Sequence, residues 1–152
     1  MRNSQLHKYA SSSELMNMRI KYGKDTIKFN LFEELSIDEN IINKEVKLQT
    51  QSSAFLSILY KKMLRLLKDR QIELDKKKAQ VWVKGKNSQI GGRVPTKEDL
   101  KCIVDSDPKV LVLSKKIAEL QHNCDLLETC VKAFESRSHM LQTISANTRR
   151  KS

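Results

Sequence analysis

The chain has 152 residues, with 29 Lys and Arg against 18 Asp and Glu, a formal net charge of +11. Apolar residues make up 39%, aromatics 5% and charged residues 31%; this is too little apolar material for a thick globular core, but enough for long amphipathic helices that each bury one stripe. Four Gly and two Pro exclude a many-turned β protein and argue against an enzyme pocket built from many loops.

Residues up to about Ser13 are polar and read as a frayed lead-in. Met18-Arg19-Ile20-Lys21-Tyr22 and Thr26-Ile27-Lys28-Phe29-Asn30-Leu31 then alternate apolar and polar around Gly23-Lys24-Asp25. That period of two with turn chemistry between predicts a small N-terminal β-hairpin at 18–31, inside an extension over 1–35. A lone hairpin is marginal in water and needs something to pack on.

Ser36-Ile37-Asp38-Glu39 has the S-x-x-E form of a capping box, and no Pro or Gly follows from Glu39 to about Val83. One long helix is expected within 36–84, and its run of some 45 residues from Glu39 to Val83 would be about 67 Å long at 1.5 Å per residue. Its middle carries a dense apolar face: Phe55, Leu56, Leu59, Tyr60, Met63, Leu66 and Leu67. Beyond Leu67 this face thins to Ile72 and Leu74 while charge rises, as if a packing element turned toward solvent or a ligand. Residues 85–95 hold three of the four glycines and one proline, and read as a flexible loop.

Thr96 can cap a short helix over Lys97 to Val104, and Asp105-Ser106-Asp107-Pro108 signals a second start. In the last helix Val110, Leu113, Ile117, Leu120, Cys124, Leu127, Val131, Phe134, Ser138 and Leu141 follow an unbroken 3-4 spacing. So narrow a seam needs a partner helix: the first long helix folded back, other copies of the chain, or both. The expected fold is all-α, two long helices in a hairpin-like arrangement with a C-terminal heptad helix for oligomerisation. Helices occupy 96–147, and residues 148–152 form a basic tail.

Cys102, Cys124 and Cys130 lack C-x-x-C spacing and no signal-peptide segment precedes them, so they read as small apolar residues in a reducing compartment. His7, His122 and His139 show no metal-ligand spacing to them. There is no P-loop, nucleophile elbow or catalytic carboxylate pair, and no apolar run long enough to span a membrane. The expectation is a binding protein without catalysis, cofactor, metal or membrane.

The charge is concentrated. Residues 61–101 carry thirteen basic and five acidic side chains, a local +8, as expected of a surface that meets a polyanion. Within this stretch Lys68, Arg70, Lys76, Lys77, Lys78, Lys84 and Lys86 surround the only tryptophan, Trp82. A single-strand site needs cations for phosphates and a flat face for unstacked bases, and Lys78 and Trp82 share a helix face at i, i+4. The structural alternatives are a solvated lysine face and a tryptophan that closes the helix end. No Asn, Gln or Arg set suggests reading of duplex grooves.

The order of elements resembles the UvsY-type recombination mediators of tailed phages over roughly Phe32 to Ile144. The likeness rests on Leu35-Ser36-Ile37-Asp38, Lys62-Met63-Leu64-Arg65-Leu66, Asp105-Ser106-Asp107-Pro108-Lys109-Val110-Leu111 and Phe134-Glu135-Ser136-Arg137-Ser138. It implies a helical protein that binds single-stranded DNA and forms ring-like homo-oligomers through its C-terminal helix, here Val110, Leu113, Ile117, Leu120, Cys124, Leu127, Val131, Phe134 and Leu141. It further implies loading of a RecA-like phage recombinase onto DNA coated with single-strand-binding protein, in the cytoplasm of an infected bacterial host. The family's Lys-Ala-Arg-Leu motif places its basic positions on Asp75 and Lys77, or on Lys76 and Lys78 with an offset of one, so basic character is kept and the motif is not. The competing class is a coiled-coil structural or assembly protein with a solubilising basic face.

Overall fold

A computed structural model of the chain describes residues 18–22 and 24–151. In chain order these form β1 (Met18–Tyr22), β2 (Asp25–Phe29), α1 (Leu31–Leu35), a 3-10 turn (Glu39–Ile41), α2 (Ile42–Lys86), α3 (Lys97–Ser106) and α4 (Pro108–Lys151). The fold is mostly helical, with two long helices that pack together and a two-stranded antiparallel sheet. The described residues divide into two units, one joining those up to Lys62 with those from Asn123 onward, the other running from Met63 to His122.

In the first unit β1 and β2 pair in antiparallel register, Ile20 opposite Ile27 and Tyr22 opposite Asp25, which leaves two residues for the turn. Gly23, assigned to that turn, lies outside the described residues. Met18 and Ile20, two apart and so on one face of the strand, are buried. The Cys130 thiol of α4 donates to Met18 Sδ at 3.3 Å, so the hairpin finds its packing surface on the last helix. The second strand stops at Phe29, earlier than the alternation suggested, because Leu31 opens a one-turn helix and drops into the core.

Ser36 does not cap the long helix. Its hydroxyl donates to the Glu33 carbonyl at 2.7 Å and closes α1, while Asp38 Oδ1 accepts from the Asn40 amide at 2.9 Å and starts the 3-10 turn. The helix proper therefore begins at Ile42 rather than at 36–39. Leu56 and Leu59 of α2 and Cys124, Leu127, Cys130, Phe134 and Leu141 of α4 are buried in this unit. The buried stripe departs from the expected heptad at two places: Cys130 is fully buried where Val131 was expected, and Arg137 is 6% exposed where Ser138 was expected.

Arg137 is held by four acceptors. It donates to the carbonyls of Leu35 (3.2 Å) and Ser36 (2.8 Å), to Gln49 Oε1 (2.8 Å) and to the Glu45 carboxylate, with which it forms an ion pair. Gln49, also buried, donates its amide to the Phe134 carbonyl. Carbonyls left without a helical partner at the end of α1 are thus satisfied from α4.

In the second unit Val81 of α2, Val104 of α3 and Val110 of α4 form a cluster with Leu74 and Ile103 against it. The long helix runs through Gly85 to Lys86, so the loop begins later than the glycine suggested. Gly85 is buried, and a Cβ there would sit 2.9 Å from Leu100 Cδ2; the residue serves close approach of α2 and α3 rather than a break. The segment 85–95 is not a featureless loop. Gly91 and Gly92, at φ 59° and 80°, make a two-residue turn closed by reciprocal Ile90 and Arg93 backbone bonds of 3.0 and 3.1 Å.

Thr96 and Asp99 form a capping box on α3. Arg93 joins it through Asp99 at 2.7 Å, and the guanidinium together with the Thr96 amide and hydroxyl lowers the Asp99 carboxyl to about 2. Asp107 ends α3 and starts α4, where its Oδ1 accepts from the amides of Lys109 (2.9 Å) and Val110 (3.0 Å) behind Pro108. α4 continues to Lys151, so most of the expected basic tail is helical.

Candidate nucleic-acid interface

The expected basic site, Lys68 to Lys86, lies on about the last five turns of α2, in the second unit. Successive helix residues turn by about 100°, so three lysines in a row cannot share a face. Leu74, Val81 and Gly85 define the side of α2 turned to the core. Lys77 falls on one flank of that line and Lys78 on the other, which leaves each half-buried along its stem while Lys76 is exposed. The triplet is divided by helix geometry into two faces.

One flank carries Lys78, Trp82 and Lys86 at successive i, i+4 steps, with Lys68 further back on the same side. Trp82 is 37% exposed, whereas its neighbour Val81 is buried in the core. Val81 closes the packing at this level, and the indole is left at the surface between two cations. The other flank carries Lys76, Lys77 and Lys84. Here Glu73, Lys76, Lys77 and Gln80 face Pro108, Lys109, Val112 and Leu113 across an open groove of about 620 Å³.

Among the described residues the amines of Lys68, Lys76, Lys77, Lys78, Lys84, Lys86 and Lys109 make no ion pair, so their charge is available to a ligand. Arg70 differs, since its guanidinium is paired with Glu73 at 2.5 Å. Arg93 on the turn is likewise taken up by Asp99. Sequence reasoning missed the α4 wall of the groove, because Lys109 lies in a stretch where charges nearly balance and Val112 falls between seam positions.

Of the seam residues, Val110, Cys124, Leu127, Phe134 and Leu141 are buried within this chain, while Leu113, Ile117, Leu120 and Val131 are half-buried. Burial pushes the Cys130 thiol up to about 11 and raises that of Cys124, as expected for packing groups, while Cys102 is exposed. Among the described residues no group of His, Cys, Asp and Glu is placed to hold a metal, and no helix is long and apolar enough to cross a membrane.

No family model, curated protein or solved structure matches the chain.

Proposed function

We propose that this protein binds single-stranded DNA, without catalysis, through the basic end of α2, and that it serves as a recombination mediator. The observation that carries the binding claim is Trp82, an exposed indole set one helical turn from Lys78 and one from Lys86, with no acid paired to either amine. Cations for phosphates beside a flat apolar face suit an unstacked strand better than a duplex, whose bases offer no free face. The contacts are to backbone and base faces, so binding is tolerant of sequence.

The mediator role, with a RecA-like recombinase and a single-strand-binding protein as partners in an infected bacterial cell, follows the family resemblance. Support for assembly is narrower than the sequence implied. The seam from Cys124 to Leu141 is consumed within the chain, and the half-buried stretch Leu113, Ile117 and Leu120 is the part of it left to meet another copy. The test is a titration of thymidylate oligomers against the protein with Trp82 fluorescence as the signal, repeated with duplex and across a salt series. Quenching by single strands, weak duplex binding and a salt slope near −0.7 per phosphate contacted are expected. Equal binding of duplex without quenching would count against the reading.

A further inference from the structure

The basic residues of α2 fall into two groups that the helix itself keeps apart. On the inner side, Leu74, Val81 and Gly85 are covered by α3 and α4, so no strand can pass between the groups there. On the outer side Ile72, Ala79 and Val83 share a face with Lys76, which lies about 80° round the helix from Lys86, and Lys77 lies further round still. A phosphate chain running along Lys78, Trp82 and Lys86 therefore reaches Lys77 only by passing round the outer face of the helix.

The second group has its own partner wall. Across the groove of about 620 Å³, Lys76 and Lys77 on α2 meet Lys109 on α4, and none of the three is paired among the described residues. The acid in the groove, Glu73, is already neutralised by Arg70. The apolar side of the groove is formed by Val112, 54% exposed, and Leu113. Its volume lies within the roughly 300–1,000 Å³ of sites that take small ligands, which suits one or two nucleotide units. Three cations at the rim and an apolar wall beneath are what a phosphate with an unstacked base would require.

We propose that this groove is a second seat for single-stranded nucleic acid, separate from the Trp82 flank, so that one chain holds two strand segments at once. The two-seat claim rests on the proposed function of the Trp82 flank; the groove itself does not. Two strands held on one helix make the protein a strand-bridging element in addition to a strand-binding one.

The test uses the full chain and hexathymidylate at low salt, with stoichiometry from calorimetry and occupancy of the first seat from Trp82 fluorescence. The parent is expected to bind two oligomers per chain, only one of which quenches the indole. Lys109→Glu reverses the charge of an exposed α4 residue; it should reduce the stoichiometry from two to one and leave the quenching titration unchanged. A parent that binds one quenching oligomer, with Lys109→Glu indistinguishable from it, overturns the groove as a site. One non-quenching oligomer, absent in Lys109→Glu, overturns the Trp82 reading and the claim of two seats, and leaves the groove as the strand site. Absence of any binding overturns both. Equal thermal unfolding of parent and variant shows that the comparison concerns charge and not fold.

Discussion

Arg137 and Glu45 stand 92 positions apart in the chain and form an ion pair whose side chains are only 6% and 13% exposed. This pair, with Gln49 and the carbonyls of Leu35 and Ser36 at the end of α1, fixes the α1 end and the start of α2 against the far half of α4. Removing one partner strands the other charge out of water, at a cost of about 3–5 kcal/mol. Arg137→Ala and Glu45→Ala should each lower the stability measured by urea unfolding by that amount, and the double variant should lose clearly less than their sum. A loss under about 1 kcal/mol for Arg137→Ala would show the network to be a surface pair of little consequence.

Asp99 gives a pH signature. Its carboxyl is held at about 2 against 3.8, first by Arg93 and then by the two Thr96 hydrogen bonds. The folded state thus binds the proton less readily than the unfolded chain. The stability this confers is complete above the ordinary carboxyl range near 4 and is lost as pH falls toward 2. Stability measured from pH 5 down to 2 should fall less steeply in Asp99→Asn than in the parent. Identical slopes would mean that the carboxylate keeps its ordinary value.

Trp82→Ala should weaken single-strand binding by about 1–3 kcal/mol, the loss of one stacked base, with little change in thermal stability. Val81→Asp, one residue away, should instead unfold the second unit, because it places a charge in an apolar cluster. Lys78→Ala and Lys86→Ala should each reduce the salt slope by about 0.7 for every phosphate that no longer meets an amine. Binding that survives Trp82→Ala unaltered would return the indole to a structural role.

Gly85→Val should destabilise by about 1–3 kcal/mol, since its Cβ meets Leu100 at 2.9 Å and the further methyls have nowhere to go. Gly85→Ala adds one carbon against the end of a flexible side chain and gains helix propensity, so it should stay within about 1 kcal/mol of the parent. Thermal unfolding of both variants decides it; a Val variant as stable as the Ala variant would show the α2–α3 contact to be loose.

Assembly through the seam must use the residues the chain leaves partly open. Ile117→Asp and Leu120→Asp should lower the sedimenting mass while helical content is kept. Leu127→Asp is a different experiment, because Leu127 is 0% exposed and the substitution should unfold the first unit. Unchanged mass in Ile117→Asp and Leu120→Asp would confine the seam to contacts within the chain.

Period and punctuation made most of this fold legible. The hairpin, the two long helices, the Thr96 cap and the Asp107-Pro108 start were all visible as alternation, 3-4 spacing and cap chemistry, which are local signals. What escaped was non-local. Nothing near Arg137 marks it as buried, since its acceptors come from Leu35, Ser36, Glu45 and Gln49. Gly85 reads as a break by composition, yet its use is room for Leu100. Ser36 satisfies the capping pattern in sequence and spends its hydroxyl on α1, a helix too short to show a period. At the candidate site, Trp82 and its flanking lysines could be named from sequence, whereas the division of the lysine triplet and the share of Lys109 depend on which side of α2 faces the core.

The sulfur contact between Met18 and Cys130 turns the chain into its own clock. Cys130 is fully covered and its thiol is pushed up to about 11, so a thiol reagent at neutral pH reaches it as thiolate only when the hairpin lifts from α4. Cys102, exposed on α3, marks zero delay in the same molecule. With Cys124, the other buried thiol, replaced by Ser, the lag between the two modifications measures how often Cys130 loses its cover.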